Sequence, residues 1–391
     1  MSALPGCAKS DTSAVDRRRW ELGDCRSNVN QKVIVITGAA GFLGSALSVD
    51  LSRDYCVVAI DRRKPTGDLL SAAFQTRWHQ VDIAESEALA RTFQNARQSL
   101  GRVDVVLHFA AFYHFGTDWD PEYKRTNLEG TLNVLRSAGQ SGAQRIIFAS
   151  SIAAMEPAPP GSVLTEKTPT TGQIPYARSK SAGEEMVRDA SVRLPGVVLR
   201  IGGAFSDWCE LPPLASLIRL WAGRSPFGRL LVGQGTTGIP YIHRHDVVRI
   251  VRSCIEAREI LGSYEVFLAS QQGAVTHKDL FAVIHQGARG KAAPATITVP
   301  PWAVRFGLCA RREIGTILGR VPFERPWMLK YVDRPWVVDT SYTCNRLGWS
   351  CTEGMGILDR LPTMLDHFTQ QRRYWEHRNR VRNQGQYNYY G

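Results

Sequence analysis

The hydrophobic pattern of the chain becomes decisive at residues 32–44, Lys-Val-Ile-Val-Ile-Thr-Gly-Ala-Ala-Gly-Phe-Leu-Gly. Residues 33–36 form an unbroken β-branched run, which suits a strand buried on both faces of a parallel sheet rather than one with a wet side. Glycines follow at once, and residues 42–51 carry a helical apolar pattern. Further strands are expected at 57–60, 77–83, 103–109, 145–148, 197–200 and 264–268. Between them lie helical spacings, at 85–100 through Leu89, Phe93 and Ala96 and at 121–138 behind a first-turn proline. Strands alternating with helices predict an α/β chain with a seven-stranded, doubly wound, mainly parallel sheet of the Rossmann type. From residue 211 the pattern loosens. Helices are expected at 214–222, 278–286 and 303–318, with an Arg/Gly-rich hairpin-like stretch at 223–238, as a small C-terminal lobe ending near Phe368. The division expected is a mobile extension (1–30), the sheet domain (31–210), the lobe with late sheet strands interleaved (211–368) and a basic tail (369–391).

The glycine spacing gives the first strand its chemistry. Gly38 sits at the tight turn, Gly41 where backbone must approach a pyrophosphate, and Gly44 at the first helix–strand contact, with the helix N-terminus behind them. The second apolar run ends in Asp61, within the reach expected for a carboxylate on the adenosine ribose hydroxyls, which favours NAD over NADP. Arg62 and Arg63 follow and offer partial relief to a 2′-phosphate. Asp82 ends the third run, equally suited to the adenine side of a cofactor or to a helix N-cap. The fourth run ends His108-Phe109-Ala110-Ala111, whose small residues let a cofactor lie against backbone; His108 at the end of an apolar strand reads as structural. An aromatic loop, Phe112, Tyr113, His114, Phe115 and Trp119, comes next, either a ligand wall or a packed loop.

Downstream, 145–148 runs into Ala149-Ser150-Ser151, and Tyr176-Ala177-Arg178-Ser179-Lys180 follows a Pro-rich loop. Tyr176 and Lys180 are one helical turn apart on one face. An ammonium so placed draws the phenol's pKa toward neutrality, making it a usable general acid or base, and Ser151 can hydrogen-bond the same substrate oxygen.

Composition narrows the partners. The chain has 391 residues and a net charge of +12, spread rather than blocked, which suits anionic small ligands and is poor ground for nucleic-acid binding. The eight cysteines are scattered, and no metal-ligand spacing stands out. No repeat, apolar membrane span or signal-peptide core is read, so the expectation is a cytoplasmic protein without a transmembrane segment. Trp302, Trp327, Trp336 and Trp349 make the lobe aromatic, as core or as substrate wall. The basic end, with Arg372, Arg373, Arg378, Arg380 and Arg382, reads as a solvated tail.

Taken in order, Thr37 to Gly44, His108 to Ala111, Asn127 with Gly130-Thr131, Ser150-Ser151, Tyr176 to Lys180 and Tyr241-Ile242-His243-Arg244-His245-Asp246 resemble the motifs of an extended short-chain dehydrogenase/reductase of the NAD-dependent epimerase/dehydratase type, closely over about 33–246 and more loosely to about 365. The resemblance implies that Gly38, Gly41, Phe42, Leu43, Gly44, Asp61, Arg62, Asp82, Ile83, Phe109, Ala110, Ala111 and Asn127 hold NAD together with Tyr176 and Lys180. It implies that Ser151, Tyr176 and Lys180 are catalytic, and that a homodimer forms through the Asn127 and Tyr176 helices. Two positions depart from the sugar-nucleotide members. Gly203 stands where they carry an asparagine, and Ile239 where many carry a diphosphate-binding arginine, while Ser150-Ser151-Ile152 with Pro157 is similar to the hydroxysteroid-dehydrogenase branch. The leading expectation is therefore NAD-dependent hydride transfer at a secondary alcohol of a fairly apolar, non-nucleotide substrate. The alternative is a sugar or sugar-nucleotide epimerase or dehydratase; a non-catalytic NAD-binding regulator is the third class.

Overall fold

The computed structural model describes residues 31–65, 76–114, 116, 118–159, 161–223, 227–290, 294–317 and 324–383. The expected N-terminal extension and residues 384–391 lie outside these. Seven strands make one sheet: β1 (Val33–Thr37), β2 (Cys56–Asp61), β3 (Thr76–Gln80), β4 (Val105–His108), β5 (Arg145–Ser151), β6 (Gly196–Ile201) and β7 (Tyr264–Ala269). Their order is β7-β6-β5-β4-β1-β2-β3, and every pairing is parallel. The chain runs outward from β1 to β3, then crosses back to β4 and continues the other way. Between β1 and β4 the direction of winding switches, and a crevice opens there at the carboxyl ends of the strands.

Side-chain alternation sorts the core into two layers. Ile34 and Ile36 face helices α1 (Phe42–Leu51) and α6 (Arg244–Glu256), while Val33 and Val35 face α2 (Ser86–Leu100), α3 (Gly130–Gln140) and α4 (Pro175–Ala190). The helix expected over 121–138 is divided. A π-helical turn, Tyr123–Glu129, leads into α3, a distortion that favours functional sites. A Cβ on Gly130 at the junction would stand 2.7 Å from Ile83 Cδ1, so a side chain there has to displace Ile83.

The lobe packs α5 (Pro212–Trp221), α7 (His277–Arg289), α10 (Ile357–Gln370) and α11 (Arg372–Asn383) around Trp221, Phe281, Leu361, Phe368 and Trp375. Helix α8 (Pro301–Ile317) closes the cavity side of the lobe, whereas the short α9 (Ser341–Leu347) packs on the sheet domain, with Tyr342 stacked on Phe267 and Thr343 Oγ1 accepting from the Leu268 amide. Two expectations are corrected here. The stretch 223–238 is not a hairpin: its strand Leu230–Val232 pairs in parallel with Ile297–Val299, and Gly238–Ile239 pairs with Val275–Thr276. The intervening turn uses positive φ at Gly233 and Gly235 and is closed by Asp333, whose carboxylate accepts from the amides of Gln234 and Thr236 and from the Thr236 hydroxyl. Nor does the lobe end near Phe368. Trp375 is fully buried against Phe368, and Asn379 Nδ2 donates to the Trp208 carbonyl, so α11 is part of the lobe rather than a solvated tail. No described helix is long and apolar enough to cross a membrane.

Candidate active site

A cavity of about 1310 Å³ runs from the glycine turn, across the ends of β4 and β5, into the lobe. Gly38 has φ +74°, and a Cβ there would lie 2.5 Å from the Ala110 amide nitrogen. A Cβ on Gly44 would lie 2.0 Å from the Gly38 carbonyl oxygen. Both positions therefore need glycine on steric grounds, and Gly41 leaves the first turn of α1 without a side-chain cap. The amides at that helix end keep donor capacity for an anion.

Asp61 is buried at the end of β2 and lines the same cavity. Its Oδ2 accepts from the Ala40 amide at 2.9 Å and its Oδ1 from Arg63 Nε at 3.0 Å. Arg62, Val81, Asp82 and Ile83 continue that wall, and Phe42, Leu43, Phe109, Ala110 and Ala111 line it nearer the sheet. Asp82 does not cap α2, whose N-cap is Glu85: its Oδ1 accepts from the Ala84 amide in the turn before the helix, while Oδ2 meets Arg125 at 2.9 Å.

His108 is structural. Thr131 donates its hydroxyl proton to the Asn127 carbonyl at 2.7 Å, so its oxygen is free to accept from His108 Nε2 at 2.9 Å; Nδ1 then accepts from Thr37 Oγ1 at 2.8 Å. Burial, with Lys180 nearby, lowers its pKa to about 3, so the ring stays neutral. Asn127 likewise holds the wall from behind rather than lining the cavity. Its Oδ1 accepts from the Phe112 amide, and its Nδ2 donates to Ser179 Oγ, which in turn donates to the Tyr176 carbonyl. The aromatic loop divides between its two readings: Phe112 and Tyr113 line the cavity, with Tyr113 edge-on to Tyr176 at 5.0 Å, whereas Trp119 packs on Tyr123.

Tyr176 enters α4 in its first turn, and Lys180 follows one turn later; both are buried and both line the cavity. Lys180 Nζ donates to the Ala149 carbonyl at 2.7 Å and lies 5.9 Å from the Tyr176 ring centroid. Desolvation lowers its pKa to about 8, against the opposing charge of Glu184. The two serines are not equivalent. Ser150 is buried and donates to Glu184 Oε1, whereas Ser151 is half-buried and accepts from the Ala153 amide at 3.2 Å, leaving its own proton for the cavity.

Glu184 was not singled out from the sequence. It pairs with Arg200 of β6 at 2.9 Å with both partners buried, and Arg200 Nη1 also donates to the carbonyls of Glu166 and Thr168. The signal was there: Glu184 is one further turn beyond Lys180 on the face that carries Tyr176. The helix expected at 303–318 is α8, and its Val304 and Leu308 close the lobe side of the cavity together with Trp327 and Trp336, two of the tryptophans read as core or substrate wall.

A parallel sheet that reverses its winding at a glycine turn, with a buried tyrosine and lysine across the same crevice, defines a dinucleotide-binding α/β enzyme fold. Residues 34–268, more than half of the chain, match the model of the NAD dependent epimerase/dehydratase family, and the chain belongs to that family. Among curated proteins it is similar to UDP-glucose 4-epimerase 2 of Oryza sativa subsp. japonica, 29% identical over 170 residues, which covers 40% of this chain and 40% of that one. With the UDP-glucose 4-epimerase of Bacillus subtilis it is 25% identical over 236 residues, 59% of this chain and 64% of that one. The matches thus span less than two thirds of these relatives. A structure of UDP-glucose 4-epimerase from Thermotoga maritima with UDP-glucose superposes with a TM-score of 0.65 at 20% identity, covering 87% of this chain and 99% of that one. The dTDP-glucose 4,6-dehydratase of Bacillus anthracis in complex with NAD gives 0.64 at 17%, covering 88% and 99%.

Proposed function

We propose that the chain carries out NAD-dependent oxidation and reduction at a secondary alcohol carbon, with the outcome of an epimerase or dehydratase. The observation that carries this is the single cavity onto which the glycine turn, Asp61, Ser151, Tyr176 and Lys180 all open. Family membership and the 4-epimerase relatives favour that outcome over net dehydrogenation, and a nucleotide sugar over the apolar alcohol that led the reading of the sequence.

The residues present fit the cofactor. Gly38 and Gly44 exclude any side chain from the approach to the diphosphate, the uncapped α1 terminus offers amides to it, and Asp61 stands ready for the ribose. Arg63 is turned onto Asp61, which supports NAD over NADP. When bound, NAD supplies the acceptor for a hydride from the substrate carbon. Tyr176 takes the hydroxyl proton as that carbon is oxidised and returns it on reduction. Ser151 orients the same oxygen. Lys180, held by the Ala149 carbonyl, stabilises the phenolate by its charge and would donate to the nicotinamide ribose when NAD is bound. A dimer through the Tyr123–Glu129 and α4 helices belongs to the same reading.

A second reading of the substrate rests on one contact. Gly203 and Ile239, the two departures from the sugar-nucleotide pattern, adjoin each other: a Cβ on Gly203 would stand 2.9 Å from Ile239 Cδ1. An apolar contact thus occupies the place of a polar diphosphate clamp, and Arg219 nearby is paired with Glu376 at 2.9 Å. Arg229 donates to the Ala295 carbonyl, and Arg224 lies outside the described residues. A diphosphate brought into such a cleft without donors loses hydration it does not recover. The test is to offer the NAD-loaded protein UDP-glucose and apolar secondary alcohols while following nicotinamide absorbance and products. Conversion of UDP-glucose with no net reduced cofactor supports the epimerase reading; reduced cofactor accumulating only with apolar alcohols transfers support to the second; no conversion of either overturns both.

A further inference from the structure

Exposed large hydrophobic side chains are expected singly on a folded surface; a cluster marks a contact site. Of the eleven among the described residues, four belong to one corner of the lobe: Phe227 (61% exposed), Ile297 (51%), Trp302 (70%) and Phe306 (74%). The fold brings them together. Strand Ile297–Val299 lies in parallel beside Leu230–Val232, the Ile297 amide donates to the Arg229 carbonyl, and α8 begins directly after that strand. Trp302 and Phe306 are one turn apart on α8, so they share a face.

The same elements have an inner side. Leu230, Val232, Val299, Val304 and Leu308 line the cavity, and Phe227 belongs to both the cavity rim and the exposed corner. The apolar corner is therefore the outside of the wall that closes the substrate end of the site. The charged side chains described within it are arginines. Arg305 is exposed between Trp302 and Phe306, and exposed Arg229 makes its hydrogen bonds to the Ala295 carbonyl rather than to a carboxylate. The whole chain carries +12.

We infer that this corner docks the protein on an anionic lipid surface, with α8 lying in the headgroup plane and the rim of the cavity facing the bilayer. Tryptophan and phenylalanine beside arginine on one helix face match the amphipathic pattern of interfacial helices, and the arginines complement anionic headgroups. Nothing in α8 is long enough to span, so the attachment is peripheral. The inference goes beyond the redox reading and stands whichever alcohol the site takes.

The test sediments the full-length protein with phosphatidylcholine vesicles with and without phosphatidylserine, and needs no turnover. The wild-type protein is expected to pellet only with phosphatidylserine. A Trp302→Ser/Phe306→Ser variant is expected to lose about tenfold in vesicle affinity, with Arg305→Glu weakening it as well and Trp119→Ser, an exposed aromatic elsewhere, leaving it unchanged. An NAD-induced rise in Tm confirms that each variant is folded and separates a failure here from a failure of the cofactor reading. Wild-type protein that stays in the supernatant with both vesicles, or a double variant that pellets like wild type, overturns the inference. So does light scattering that shows an oligomer split by the double variant, since a second copy would then cover the corner.

Discussion

The sheet half and the lobe place their important side chains at very different distances along the chain. In the sheet half the groups proposed to hold the cofactor and move the proton sit within a few residues of one another: Gly38 to Gly44 in one turn, Tyr176 and Lys180 on one helix face. In the lobe the decisive pairs are remote. Asp333 closes the turn at Gln234 from 99 residues away, Arg219 meets Glu376 across 157, and Arg378 meets Glu210 across 168. The first half is built by local geometry repeated between strands. The second is held by long-range pairs that return the end of the chain to the pocket helix α5, so its shape is cooperative, and substrate recognition inherits that dependence.

The comparison breaks first at the glycines. Gly44→Ala places a methyl 2.0 Å from the Gly38 backbone oxygen, so NAD affinity should fall by more than about a hundredfold in a calorimetric titration; affinity within a few-fold of wild type would show that the turn is not set locally. Next in size is Trp375→Ala. Removing a fully buried tryptophan from the lobe core should cost about 3–5 kcal/mol. If the lobe is the separable half, the loss appears as an early transition in thermal unfolding while NAD binding persists. A single transition that takes NAD binding with it would erase the distinction.

Lys180→Met sharpens the contrast from the other side, since a buried charge burdens the sheet half. Burial lowers the lysine from 10.5 to about 8, a shift equivalent to roughly 3 kcal/mol. Below pH 8 both folded and unfolded chains hold the proton, and the folded state bears the full cost. Between pH 8 and 10.5 the unfolded chain binds more protons than the folded one, so stability rises with pH and the cost disappears. The variant should therefore be more stable than wild type at pH 7, with the gap closing toward pH 10.5 in paired denaturant titrations. A gap that widens with pH contradicts the assignment. Smallest is Asp333→Ala, which leaves three donors at Gln234 and Thr236 without their acceptor on an exposed turn and should cost about 1–2 kcal/mol; the check is faster proteolysis at 233–237 with NAD affinity unchanged.

These distances explain what could be read from residues alone. The central strands were legible within a few positions because burial on both faces leaves a run such as Val33–Ile36, whereas the edge strand β3, Thr-Arg-Trp-His-Gln, carries no such run. Asn127 was legible as a site residue but not as one acting from behind the wall, since its partners Phe112 and Ser179 lie 15 and 52 residues away. The hairpin at 223–238 was misread for the same reason: glycines signal a turn, but only the fold supplies the acceptor, Asp333, that closes it. The C-terminal arginines read as solvated because their spacing hides Trp375, one buried side chain in a basic segment.

The central claim is that Tyr176 moves the proton in an NAD-dependent oxidation within this cavity. It is tested most directly by stopped-flow nicotinamide absorbance on NAD-loaded wild type and Tyr176→Phe, with whichever substrate of the panel is turned over. The account predicts a rate about 10²–10⁴-fold lower in the variant with NAD affinity unchanged; equal rates in the two proteins would contradict it.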